Sequence, residues 1–330
     1  MSRLFRLAAV CGLVFVSATA FAGPTYTDPD KAEKTDKDFA IQGEYSGKIK
    51  DDSGNEVSVG VQVIALGGGK FKAVGYPGGL PGDGWNKQEK IEADGELKDG
   101  AVVFEKDGGK GVIKDGSLSI IAAENELGKL SKINRSSPTL GAKPPAGAVV
   151  LFDGKNADAF QGGKVGEEGL LLEGSTSKQK FGSYKLHIEF RIPYQPEDRG
   201  QGRGNSGVYM QGRYEVQMLD SFGLAGKNNE CGGIYSVKDC DLNMCFPPLT
   251  WQTYDIDYTA AKYDDAGKVT APAKITVEHN GVVIHKDVAL PTDRGTTAAP
   301  VKPGPEPGPI YLQNHGNPVR YRNIWLVETK

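Results

Sequence analysis

Polar side chains that could do chemistry alternate with apolar ones along three short segments of the C-terminal half, 184–192, 214–220 and 311–315. Because successive side chains of a β-strand point to opposite faces, each segment can bury one set and present the other on a surface. The apolar set includes Ile188, Phe190, Val216, Met218 and Leu312, and the polar set includes Glu189, Arg191, Glu215, Gln217, Gln313 and His315. Carboxylates, carboxamides and imidazoles gathered on one side are typical of the floor of a cleft that binds sugars.

The rest of the chain must supply the strands that position these side chains. The sequence has 330 residues, enough for two domains, and it contains 45 glycines with almost no helical periodicity. We therefore predict an all-β protein. The predicted parts are a signal peptide (1–22), a flexible leader (23–38), a small antiparallel β domain (39–134), a Pro-rich linker (135–147) and a β-sandwich (148–330).

The N-terminus predicts export. Arg3 and Arg6 precede an apolar run over 7–16, and a small-x-small pattern predicts cleavage after Ala22. The run is too short to span a bilayer, so we expect a secreted or periplasmic protein without a membrane anchor. The net charge of −3 and the lack of a basic patch argue against a nucleic-acid partner. The sequence does not indicate an oligomeric state.

Asp-Gly pairs punctuate the small β domain, and such pairs favour the tight turns of hairpins. We predict six strands, around 45–50, 57–66, 71–76, 101–106, 117–122 and 129–133, in a partly open barrel or a sandwich. The Gly-rich loop 77–85 lacks the Lys-Ser/Thr of a phosphate loop, so it is interpreted as structural or sugar-stacking. The role of this domain stays open.

Two features of the second domain concern its loops. An Asn-Gly turn predicts a hairpin over 274–285, flanked by His279 and His285, both expected to be exposed. Residues 291–309 are rich in Pro and Gly and form a long loop, which in a compact domain is often functional or mobile.

Three cysteines remain after the predicted cleavage, which fits an oxidising compartment. We predict a disulfide between Cys231 and Cys245, with Cys240 free, because this bridge would tie the 238–244 loop to the preceding strand. Cys231 with Cys240 is the second choice. Three cysteines without a nearby histidine make a poor metal site.

Ordered motifs across 148–330 carry a family resemblance. They are 151–156, 189–191, 204–209, 214–220, 232–235, 251–254, 280–281, 308–316 and 320–324. Together they resemble the 3-keto-disaccharide hydrolase family. The resemblance implies a concanavalin-like jelly-roll sandwich and activity on glycosides oxidised to a ketone at C3.

Such a substrate, an oligosaccharide or glycoside, calls for defined chemistry. A ketone at C3 acidifies the C2 hydrogen, so a base can remove it, the C1 substituent can leave, and water can add back. By residue type and strand face, Glu189 or Glu215 is the candidate base and His315 the acid or base. Arg191 or Arg322 is the candidate partner of the enolate oxygen. Candidate ligands of the sugar hydroxyls are Asn205, Tyr209, Gln217 and Gln313.

Other interpretations stay open at this point. Glu189 with its charged neighbours could be a solvated, salt-bridged face. The domain could be a non-catalytic carbohydrate-binding module, because a fold alone does not establish catalysis. A retaining glucanase is disfavoured, since Gln217 stands where a carboxylate is needed and cannot titrate. No cofactor is predicted. A divalent cation such as Ca²⁺ has no spacing motif to support it.

Overall fold

The computed structural model describes residues 23–329, and the predicted signal peptide lies outside them. These residues form a closed eight-stranded barrel followed by a sandwich of two antiparallel sheets. The predicted all-β class, with a small β domain before a β-sandwich, is confirmed. Within 23–329 no helix is both long and apolar enough to cross a membrane.

The first domain is an antiparallel meander whose last strand pairs with its first. Its strands are β1 (Gly43–Lys50), β2 (Glu56–Ala65), β3 (Lys70–Pro77), β4 (Ile91–Lys98), β5 (Ala101–Lys106), β6 (Gly109–Lys114), β7 (Ser117–Ala122) and β8 (Asn125–Ile133). The sequence prediction missed β4 and β6. In β4, Asp94-Gly95 resembles a turn, yet both residues lie within the strand. Glycine is needed at position 95 because a Cβ there would meet the Phe104 ring at 2.4 Å.

Two short helices precede the barrel, which corrects the prediction of a flexible leader over 23–38. They are α1 (Pro29–Thr35) and α2 (Lys37–Ile41). Asp28 and Asp36 cap their N-termini with side-chain hydrogen bonds. Ala32 is fully buried in the barrel core, so packing holds this polar segment in place.

The sandwich is built from fourteen further strands and one 3₁₀ turn, η1 (Gly200–Gly202). The strands are β9 (Val149–Phe152), β10 (Phe160–Gln161), β11 (Leu171–Leu172), β12 (Ser175–Ser177), β13 (Ser183–Arg191), β14 (Ser206–Met210), β15 (Tyr214–Met218), β16 (Trp251–Thr259), β17 (Lys262–Tyr263), β18 (Val269–Ala271), β19 (Lys274–His279), β20 (Val282–Ala289), β21 (Tyr311–Leu312) and β22 (Arg320–Thr329).

Two sheets enclose the sandwich core. The five-stranded sheet has the order β10-β12-β21-β14-β15. The seven-stranded sheet has the order β11-β22-β13-β16-β19-β20, with β9 also paired to β22. The predicted core residues Ile188, Phe190, Val216, Met218 and Leu312 are all buried in one cluster, so the assumed strand register is confirmed.

The hairpin histidines correct another prediction, because both are fully buried. His279 Nε2 lies 2.9 Å from Gln252 Oε1, and His285 Nε2 lies 2.7 Å from the Gly232 carbonyl oxygen. Burial lowers the pKa of His279 to about 3 and that of His285 to about 4. Both rings are therefore neutral parts of the packed interior at physiological pH.

The predicted disulfide is also corrected, since Cys231, Cys240 and Cys245 are buried free thiols. Cys231 and Cys245 lie side by side as unbridged thiols. Cys231 Sγ lies 3.3 Å from the Tyr254 hydroxyl, and Cys240 Sγ lies 3.3 Å from the carbonyl oxygen of Gly226. The chain brings the three residues into one apolar layer without the pairing geometry of a bridge.

Candidate active site

The polar face of the five-stranded sheet holds one group of the predicted site residues. In β15, Val216 and Met218 point into the core, so Glu215 and Gln217 lie on the opposite face. Backbone bonds from 232–235 cover the free edge of this strand, including Tyr235 N–H to the Glu215 carbonyl at 3.1 Å. Glu215 and Gln217 are therefore held by backbone pairing on both sides of β15.

The Glu215 carboxyl is the centre of this face. It is 2% exposed, and its Oε2 accepts a hydrogen bond from the Tyr209 hydroxyl at 2.8 Å. Its Oε1 has no hydrogen-bond partner among residues 23–329. The carboxyl packs across Gly207 of the neighbouring strand, where an added Cβ would lie 2.0 Å from Oε1. Only glycine at position 207 leaves room for this placement.

Burial raises the pKa of Glu215 to about 8, against the opposing effect of the hydrogen bond from Tyr209. A carboxyl with such a pKa exchanges its proton near neutral pH, which is the property that a general acid or base requires. Burial and the neighbouring Glu215 also raise the pKa of Tyr209 far above its usual value, so this hydroxyl stays protonated as a donor.

Carboxamides surround this carboxyl on the same face. Gln313 Nε2 donates to the Tyr209 hydroxyl oxygen at 3.1 Å. Gln201 Oε1 accepts from Gln217 Nε2 and from Asn205 Nδ2, each at 3.2 Å. The Asn205 Oδ1 atom is buried without a partner within the described chain. Such groups can both donate to and accept from sugar hydroxyls.

The long loop over 291–309 closes over Glu215. The Glu215 backbone N–H donates to Thr296 Oγ1 at 2.9 Å, and the Tyr209 hydroxyl lies 3.3 Å from the Thr297 carbonyl oxygen. Across the loop, Thr297 Oγ1 contacts Ser236 Oγ at 3.2 Å. Ser236 and Thr297 are themselves exposed, so this contact lies at the surface of the cover.

Glu189 lies on the other sheet and faces away from Glu215. Its neighbours Ile188 and Phe190 fill the core, which places the Glu189 carboxyl on the outer face of the seven-stranded sheet. There it accepts hydrogen bonds from Gly141 N–H at 2.5 Å and from Arg322 Nε at 2.6 Å. Asn323 Nδ2 adds a third bond at 2.8 Å. The linker thus lies across this face.

His187 completes the buried charge cluster beneath the linker. Its Nδ1 lies 2.6 Å from Asp255 Oδ1, and its ring stacks on Trp325. Burial alone would lower the pKa of His187, but the hydrogen bond to Asp255 and the Glu189 carboxylate 3.6 Å from Nε2 outweigh it and raise the pKa to about 9. Burial would raise the pKa of Glu189, yet the nearby His187 and the hydrogen bonds from Asn323, Arg322 and the linker N–H lower it to about 2.

The remaining candidates do not join Glu215. Arg191 forms an ion pair with Glu168. Both Arg191 and Arg322 lie over the Trp251 ring, and these three residues belong to the seven-stranded sheet. His315 is exposed in the loop after β21, because that strand ends at Leu312. The structure therefore brings together Glu215, Asn205, Tyr209, Gln217 and Gln313, and it separates Glu189, Arg191 and Arg322 from them.

Sequence reasoning missed three contributors to this site, Gly207, Gln201 and Thr296. The Pro- and Gly-rich composition of 291–309 was the available signal for Thr296, since it predicted a functional loop. Nothing local marks Gly207, whose role depends on the cross-strand position of Glu215. Within 23–329, no group of three or more His, Cys, Asp or Glu residues is arranged to hold a metal ion.

Comparison with known families places this geometry in context. Residues 147–327 match the family described as 3-keto-alpha-glucoside-1,2-lyase-like domain. The chain belongs to this family. The match begins at the linker and covers the whole sandwich, and the barrel lies outside it. No curated protein matches the chain.

Solved structures similar to the sandwich come from Parabacteroides distasonis. One, described as a "putative glycosyl hydrolase", is 34% identical with a TM-score of 0.51, and the match covers 56% of this chain and 85% of that one. A second with the same description is 17% identical with a TM-score of 0.41, covering 56% and 94%.

Proposed function

We propose that this protein is an exported carbohydrate-active hydrolase that cleaves glycosidic bonds of 3-keto-glycosides by elimination followed by addition of water. The family description names a 1,2-lyase of 3-keto-α-glucosides, and elimination across C1 and C2 is the bond-breaking half of that reaction. The description of the 34% identical structure as a glycosyl hydrolase also supports a hydrolase-like role. The pattern of residues 1–22 supports export.

In this proposal Glu215 is the base. Its ionised carboxylate removes the C2 hydrogen, the electron pair forms the enolate of the C3 ketone, and collapse of the enolate expels the C1 oxygen. The leaving oxygen takes a proton from water, the resulting hydroxide adds to C1 of the enone, and protonated Glu215 returns the proton to C2, which restores the carboxylate. The observation that carries this assignment is the buried Glu215 Oε1, which has a free lone pair and no partner in the described chain.

The groups around Glu215 suit the other steps. Tyr209 keeps its proton and holds Glu215 Oε2, so the carboxylate points Oε1 toward the substrate. The carboxamide N–H groups of Gln217 and Gln313 can stabilise the enolate oxygen, a role that the separated arginines cannot fill in this arrangement. Asn205, with its unpartnered Oδ1, can accept from a sugar hydroxyl.

The substrate must pass the cover formed by 291–309 to reach Glu215. The exposed contact between the Ser236 and Thr297 hydroxyls is one weak hydrogen bond, while backbone hydrogen bonds from Thr296 to Arg213 and from Val301 to Gly212 anchor the cover on either side of residues 297–300. We infer that the stretch 297–300 between these anchors moves to admit a sugar and returns to exclude water from the enolate.

The test incubates the protein with 3-keto-disaccharides and with the unmodified disaccharides, with and without a chelator, and follows sugar release. The conjugated enone absorbs in the ultraviolet, so its transient appearance separates elimination from direct hydrolysis. We expect release from the 3-keto substrates only. Binding of both sugars without release would instead identify a carbohydrate-binding module.

A pair of variants tests the assignment of the base. Glu215→Gln retains the shape of the side chain and should lower turnover by at least ~10²-fold, since it cannot take a proton. Glu278→Gln on the seven-stranded sheet is the control for a neutral substitution of a sandwich carboxylate, and it should leave turnover unchanged. Full activity of Glu215→Gln would remove Glu215 from the mechanism.

A further inference from the structure

The barrel contains an unfilled apolar cavity at the end away from the helices. Helix α2 packs near the start of β1, where the Tyr45 hydroxyl donates to the Ile41 carbonyl. The cavity of about 370 Å³ lies toward the opposite end, where β1 ends and β2 begins. Eight-stranded barrels either fill their interior with side chains or hold one small ligand there.

Small residues on the inner face create this space. Gly75, Ala93 and Gly111 lie on inward positions of three strands, as the alternation with buried neighbours shows. A Cβ on Gly111 would point at Leu118 and Phe104, both buried in the barrel. Large side chains at these three positions would fill the cavity and give the packing density of an ordinary protein interior.

The rim carries apolar and cationic groups together. Val57 and Ile91 line the cavity and are 36% and 54% exposed. Lys106 lies on the inner face of β5, two positions beyond the buried Phe104. Lys106 and Lys110 are the charged residues of the lining, but Lys110 lies on the outer face of β6 and pairs with Glu105 at 3.4 Å, which leaves Lys106 as the cation of the inner face. The Lys106 contact with Asp107, at 3.8 Å and largely in solvent, leaves its charge available.

We propose that the barrel binds one free fatty acid of medium chain length, with its tail in the cavity and its carboxylate at Lys106. The volume lies in the range of about 300–1,000 Å³ that is usual for small-molecule sites. The apolar walls match the tail, and the cationic rim matches the head. This site is separate from Glu215 and from the family match, which begins at residue 147.

Isothermal titration of the full chain with dodecanoate below its micellar concentration tests the proposal. We expect one dodecanoate per chain, and an affinity that rises about fourfold per methylene from octanoate upward. Dodecyltrimethylammonium, with the same tail and the opposite charge, should bind more weakly. Equal affinity of the two head groups, or no binding of dodecanoate, would overturn the proposal.

Variants locate the ligand. Lys106→Gln should weaken dodecanoate binding about two- to fivefold and leave dodecanol binding unchanged. Lys114→Gln, on the outer face of β6, is the matched control and should have no effect. Gly111→Leu should abolish binding by filling the cavity, and Ala93→Leu serves the same purpose if the first variant does not fold. Undiminished binding in a folded, filled variant would place the ligand elsewhere.

Discussion

Replacing Glu189 by glutamine should destabilise the sandwich and leave catalysis in each folded molecule intact. The carboxylate is 1% exposed and accepts bonds from Arg322, Asn323 and the linker N–H of Gly141. An amide cannot accept on both sides, so one donor would face the new NH₂ group. A buried charge such as that of His187 would also lose its neighbouring anion.

The magnitude follows from the lowered pKa of Glu189. A change from 4.5 to about 2 corresponds to about 3 kcal/mol of stabilisation of the charged form in the folded state. Breaking one side of a buried pair costs a comparable ~3–5 kcal/mol. For a domain of this size, that loss lowers the unfolding temperature by roughly 6–20 °C.

Urea unfolding and differential scanning calorimetry measure this loss, and limited proteolysis at 135–147 reports release of the linker. Glu278→Gln on the same sheet is the control, since Glu278 makes no ion pair within residues 23–329. If Glu189→Gln kept its full stability and lost turnover ~10²-fold, the structural role assigned to Glu189 would be wrong and its candidacy as the base would return.

Three further predictions concern the same sandwich. Gly207→Ala should abolish turnover because the added Cβ displaces the Glu215 carboxyl. Gly202→Ala is the control, since its Cβ would enter open space, and it should keep turnover when both variants are assayed. Stability should fall between pH 6.5 and 9, measured by urea unfolding. His187, whose pKa is raised to about 9, contributes its full stabilisation below pH 6.5 and none above pH 9. Glu215, whose pKa is raised to about 8, contributes stabilisation that falls between pH 4.5 and 8. The three cysteines should all react with a thiol reagent in denaturant without reductant, whereas a single reactive thiol would show a disulfide.

The alternation of side chains predicted the sandwich core correctly. Ile188 and Val216 lie where the period of two places them, because each faces a buried layer that tolerates only one register. The same reasoning could not tell which sheet each strand would join. It therefore grouped Glu189 with Glu215, although the two carboxylates lie on the outer faces of different sheets.

Long-range contacts account for what the sequence could not predict. Composition predicts only a Pro-rich linker over 135–147, yet its Gly141 N–H and the Ala142 carbonyl form hydrogen bonds with the seven-stranded sheet. Asn323 reaches Glu189 from a bulge in β22, where it adopts a φ of 44°. Neither contact has a local signal, because each depends on residues more than 40 positions apart.

The pH dependence of 3-keto-disaccharide cleavage, measured for the wild type and for Glu215→Gln, tests the central claim most directly. With Glu215 as the base, kcat/KM should rise with pH and level off above about 8, where the carboxyl is ionised. The variant should lose at least ~10²-fold and show no such rise. A wild-type profile that is flat from pH 6 to 9, or a variant as active as the wild type, would contradict the account.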